Sequence, residues 1–140
     1  MPYCTRADLE ARLGPNLLRE LTDLEATGVA NDARIQQAIA DASAQVDAYA
    51  AMRYPVPFSP VPEVVKRMTI DLAVYRLFEA RGFDAQADGA VVEAHRAAIR
   101  FLEHLAAGRV SIGAAQPPKD QGASLHAAER RFTRDRMEDF

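Results

Sequence analysis

The sequence predicts an all-α protein: a small helical bundle with two short N-terminal helices, three long helices and an extended C-terminal arm. Three observations carry that expectation. Apolar residues recur at three- and four-residue spacing through three long segments, as one buried face of an α-helix requires. Glycine and proline stand at the ends of those segments rather than inside them. Alanine supplies much of the 49% hydrophobic content, with 7% aromatics and no Trp, a composition suited to helices with small faces.

Thr5 is placed to cap the first short helix, with Asp8 three residues on beside the positive helix end and Gly14 as the stop. Pro15 opens the second, whose apolar side is Leu17, Leu18 and Leu21. Residues 22–30 read as a connecting loop. Asn31 or Asp32 caps the first long helix, where Ile35, Ala38, Ile39, Ala42, Val46, Tyr49 and Ala50 form the core-facing stripe. Ala40, Ala44, Ala48 and Ala51 make a second line of small residues, suited either to internal packing or to a subunit contact.

Residues 53–62 cannot continue a helix, because Pro55, Pro57, Pro60 and Pro62 remove donors and bias each preceding residue towards extended conformations. A stiff elbow is expected there. Helix resumes near Pro60 or Pro62 and runs to about Arg81, with apolar residues nearly all round it, so it should be the most buried element. Gly82 and Gly89 bracket a polar loop, and Val91, Val92, His95, Ala98, Ile99, Leu102 and Leu105 mark a last long helix ending at Gly108. Residues 109–123 have the Gly, Ala, Pro and Gln content of a linker, and residues 130–140 are charged with three apolar anchors, Phe132, Met137 and Phe140. The chain thus divides into a helical body over 1–108 and a linker with a partner-binding arm over 109–140.

A length of 140 residues suits one modest core. The net charge of -3, with no basic run, disfavours non-specific DNA binding by the body. Cys4 is the single cysteine, which rules out an internal disulfide or a thiolate metal cage within one chain and fits a reducing cytoplasm. No stretch approaches the ~18 apolar residues of a membrane helix, and no export signal is apparent.

Little in the sequence carries chemistry. His95 and His104 stand nine residues apart, a rotation of roughly 180° at ~3.6 residues per turn, and His126 lies beyond the linker, so no metal site is expected. Asp71 sits between Ile70 and Leu72, with Arg67 and Tyr75 one turn away as partners. A structural pair is the reading, since no second carboxylate, nucleophile or phosphate loop accompanies it. Glu93, Arg96, Arg100 and Glu103 form a solvated charged face or a ring-subunit contact. Neither a cofactor nor enzymatic turnover is expected.

The ordered pieces Tyr3 to Leu9, Leu21-Thr22-Asp23, Ala38 to Ala42, Val46 to Tyr49, Arg53-Tyr54-Pro55-Val56-Pro57, Val64-Val65-Lys66, Asp71 to Leu77 and Ala107-Gly108 resemble the Mu-like prophage small protein family of tailed-phage head-tail adaptors. That resemblance implies a structural connector, or head completion protein, that forms a dodecameric ring beneath the portal protein and above a tail-side connector or tail terminator protein. DNA would pass through the channel without specific binding, in a virion assembled in the bacterial host cytoplasm. The residues expected to bind partners are Arg53, Tyr54, Pro55 and Pro57 at the elbow, and Phe132, Met137 and Phe140 on the arm. The rival from another class is a helical DNA-binding or regulatory module using Arg96 and Arg100, which Glu93 and Glu103 dilute.

Overall fold

The computed structural model describes residues 2–84 and 86–114. Among these residues five helices form and no strand: α1 (Arg6–Leu13), α2 (Pro15–Thr22), α3 (Asp32–Ala50), α4 (Glu63–Arg81) and α5 (Gly89–Ala106). The all-α bundle expected from the periodic stripes is the fold.

Local chemistry sets the boundaries. At α1 the Thr5 hydroxyl accepts from the Asp8 amide at 3.3 Å while the Asp8 carboxylate accepts from the Thr5 amide at 2.8 Å, a reciprocal capping box. Pro15 opens α2 at the position where its missing N–H costs nothing. Asn31, rather than Asp32, caps α3, its side chain accepting from the Arg34 amide at 3.2 Å. Pro62 ends the elbow and Glu63 begins α4.

Helices α3, α4 and α5 pack on one another, and α1 with α2 closes over α4, which touches all four other helices. This central position explains why α4 is apolar nearly all round, with Val65, Leu72, Ala73, Val74, Leu77 and Phe78 buried. By contrast, Ala40, Ala44, Ala48 and Ala51 are all exposed. No described helix lies along that small-residue line, so internal packing is not its use among the described residues.

Asp71 takes a different partner from the one its helical spacing suggests. Its side chain is only 8% exposed and meets Arg12 of α1 at 2.9 Å, whereas Arg67 acts on it only through longer-range attraction. Tyr75 turns to α5 instead and stacks on His95, with ring centroids 3.7 Å apart and an interplanar angle of 17°. The correction has a physical reason: α1 crosses α4 and delivers a guanidinium from 59 residues away, a contact that spacing along one helix cannot reveal. Burial raises the Asp71 carboxyl above its ordinary value and the two arginines pull it back. Burial also lowers His95, disfavouring the charged form of the stacked imidazole.

In stability measurements Asp71→Asn should stay within about 1 kcal/mol of the parent, since an amide oxygen still accepts from Arg12 and no charge is buried. Arg12→Ala should lower stability by about 1–3 kcal/mol by leaving the carboxylate unpaired. Asp71 binds its proton more tightly folded than unfolded, so its contribution grows as pH falls through its folded pKa. The deficit of Arg12→Ala should therefore narrow towards acid pH in urea titrations.

Candidate partner-binding site

Between α3 and α4 four prolines leave four backbone positions without a donor. With no hydrogen-bonded ladder of its own, this elbow takes its path from side chains that reach in from elsewhere. Tyr3 is the foremost of them. Its hydroxyl accepts from the Phe58 amide at 3.1 Å and donates to the Asp47 carboxylate, while its own amide donates to Ser43 Oγ at 3.1 Å. The Tyr3 and Tyr54 rings lie 5.7 and 6.0 Å from the Phe58 ring in tilted arrangements. One buried aromatic cluster therefore fastens the first residues of the chain to α3 and to the elbow.

Burial, then the hydrogen bond to Asp47, pushes the Tyr3 phenol up to about 12, so it remains a donor at neutral pH. Burial likewise pushes the Cys4 thiol up to about 11, which makes it a packing residue and not a nucleophile. Sequence reading passed over Tyr3. The available signal was the capping box itself, since Cys4 and Leu9 stand where an apolar residue before the cap and another one turn inside commonly pack and bury the entering chain.

On the other side of the elbow, Arg53 completes the end of α5. Its Nε and Nη2 donate to the carbonyls of Ala106 and Ala107 at 3.3 and 3.1 Å. The Gly108 amide donates to the Leu105 carbonyl at 3.1 Å and the Arg109 amide to the His104 carbonyl at 2.8 Å. Together these satisfy the four carbonyls that a helix leaves orphaned, by a Schellman turn and a cation at the negative helix end. Gly108 has φ +74°, which favours glycine, and a Cβ there would fall 2.2 Å from the Arg53 Cζ, so the guanidinium would have to move.

Beyond Gly108 the chain runs along the elbow. The Ile112 amide donates to the Tyr54 hydroxyl at 3.4 Å, and Val110, Ile112 and Ala114 pack against the core. Composition reads residues 109–114 as the start of a linker, yet their two-residue alternation of apolar side chains is what holds them to the body. Of the residues expected to bind partners, Arg53 and Tyr54 turn inward, whereas Pro55 and Pro57 are exposed. Phe132, Met137 and Phe140 lie outside the described residues. A groove of about 500 Å³ opens here, lined by Pro57, Phe58, Val61, Pro62, Ile112 and Ala114.

The other polar features are modest. The cleft over Asp71 encloses about 150 Å³ and is lined otherwise by Arg12 and apolar side chains, without a nucleophile or a second carboxylate. Among the described residues no group of three or more His, Cys, Asp or Glu side chains is placed to hold a metal ion. On α5 Arg96 pairs with Glu93 at 2.9 Å across an exposed face.

Gly108→Ala should cost more than the ~1–2 kcal/mol of a left-handed residue alone, because Arg53 must also move. In an Arg53→Ala background the loss should fall back to that value; equal losses in both backgrounds would show that Arg53 yields freely. Tyr3→Phe should cost about 1–3 kcal/mol at neutral pH by stranding the Phe58 amide and Asp47. The stability that the phenol contributes is complete below its ordinary value of 10.0 and is lost as pH rises towards about 12. Urea melts of Tyr3→Phe should accordingly show a shallower alkaline decline than the parent.

Comparison with known proteins places this geometry in a family. The family model described as Bacteriophage Mu, Gp36 matches residues 3–129. The chain is 30% identical over 131 residues to the Mu-like prophage FluMu protein gp36 of Haemophilus influenzae, covering 90% of this chain and 89% of that protein. It is 35% identical over 114 residues to gene product J of Escherichia phage Mu, covering 81% of this chain and 77% of that protein. The family match takes in Tyr3, the capping box, the whole elbow and the Gly108 turn, and it continues past Gly108 to residue 129, so the resemblance drawn from the ordered pieces of sequence holds: the chain belongs to the bacteriophage Mu Gp36 family.

Proposed function

We propose that this protein is a structural connector of a tailed bacteriophage, a head completion adaptor that forms a ring between the portal protein and the tail-side connector or tail terminator. The observation that carries the reading is the family match over residues 3–129. Several physical features support it. Identical chains joined head to tail repeat one contact around a closed ring, so a moderate interface suffices. The exposed Ala40, Ala44, Ala48 and Ala51 line offers a face that a neighbour can approach closely, and Met52 beside it is 77% exposed. The net charge of -3 suits a wall past which DNA slides without adhering. In this role the protein needs no cofactor and performs no turnover. The part of its arm, predicted over 109–140, that lies beyond the described residues contacts a neighbouring subunit or a phage partner.

Imaging of the parent virion should place a ring of this chain, dodecameric on this reading, at the head-tail junction. Density only elsewhere in the particle would overturn the proposal. A truncation after Ala114, which spares the described residues packed on the body, should melt like the parent yet fail to join heads to tails; normal infectious particles from it would remove the arm from the mechanism. Retention of the purified protein on duplex DNA that falls steeply with salt would favour a DNA-binding module instead.

A further inference from the structure

The groove over the elbow has the size of a side-chain or small-ligand pocket, about 500 Å³ against a usual range of ~300–1,000 Å³. Pro57, Val61 and Pro62 of the elbow line it together with Ile112 and Ala114, and the buried Phe58 contributes to its lining. Proline rings present apolar faces and no N–H. What such a groove selects is an apolar side chain, not a strand that pairs through its backbone.

The chain carries side chains of that kind further on. Phe132, Met137 and Phe140 are spaced among charged residues, where apolar groups left in water form an unfavourable surface. The distance between groove and segment is informative. Ala114 lines the groove, and 17 residues, 115–131, separate it from Phe132. A segment meant for the groove of its own copy would need only a short turn. A spacer of that length has a maximal reach of roughly 55–60 Å. A domain of this size is roughly 35 Å across. The spacer is therefore long enough to reach the same groove on an adjacent copy, where linkage raises the local concentration of the segment.

We propose that the groove of each subunit receives the 132–140 segment of a neighbouring subunit, with Phe132 seated between Pro57, Pro62 and Ile112. Every copy then gives one segment and accepts one, a head-to-tail operation that closes into a ring. This rests on the ring reading above and adds the contact that joins adjacent subunits.

The test uses the full chain with Val61→Cys and Phe132→Cys together, oxidised in solution and in purified particles. Cys4 is buried and does not compete. A ladder of covalently linked copies on a non-reducing gel is expected, and mixing the two single variants should yield a linked dimer. Linkage confined within single copies would overturn the proposal, as would free thiols in both settings. A thermal melt of the reduced double variant confirms that it folds. As a variant without new cysteines, Val61→Asp should sediment as a monomer under conditions where the parent is expected to sediment as multimers; a parent that is monomeric at high concentration, or multimers unchanged in the variant, would also overturn the assignment. Failed linkage in a chain that imaging finds at the head-tail junction sinks the groove contact and leaves the connector reading intact. A ladder from a chain located elsewhere in the virion does the reverse.

Discussion

The fold depends on how a proline-rich reversal is held in place. Between α3 and α4 the chain must turn with Pro55, Pro57, Pro60 and Pro62 in its path, so backbone hydrogen bonding cannot define the turn. The definition comes from side-chain contacts with distant parts of the chain: Tyr3 reaches in from the chain start, while the elbow's own Arg53 holds the end of α5 and its Tyr54 holds residues 111–112. Each contact joins a different part of the chain to the elbow. The relative setting of α3, α4, α5 and the entry to α1 is therefore one problem with one solution.

Much of the architecture was legible because it is written locally. Caps, stops and stripes act within a few residues, which is why Thr5, Gly14, Pro15, Asn31 and Gly108 mark boundaries that the structure keeps. The central place of α4 was equally readable, since a helix that is apolar nearly all round must be surrounded. What escaped was tertiary. The pairing of Asp71 with Arg12 depends on how α1 crosses α4, and the role of Tyr3 depends on where the elbow returns. No spacing rule within one element contains that information.

The elbow shows the same division at the level of the candidate site. The structure separates the elbow residues expected to bind partners, Arg53, Tyr54, Pro55 and Pro57, into two kinds. Arg53 and Tyr54 serve the fold, while Pro55 and Pro57 remain at the surface beside a groove. Only the packing of residues 110–114 turns a bent connector into a concave face, and composition alone concealed it because the Gly, Ala, Pro and Gln content of 109–123 as a whole reads as a linker.

Cys4 has a practical consequence. Its thiol is enclosed next to Tyr3, at the point where the chain start joins α3 and the elbow. A reagent can reach it only when that junction opens, through local or global unfolding. The rate at which the native protein is labelled at this one sulfur is therefore a clock for the breathing of the elbow, readable in the unmodified chain. On the proposed connector reading, comparing the isolated subunit with the particle by the same clock would measure how far assembly quiets that motion.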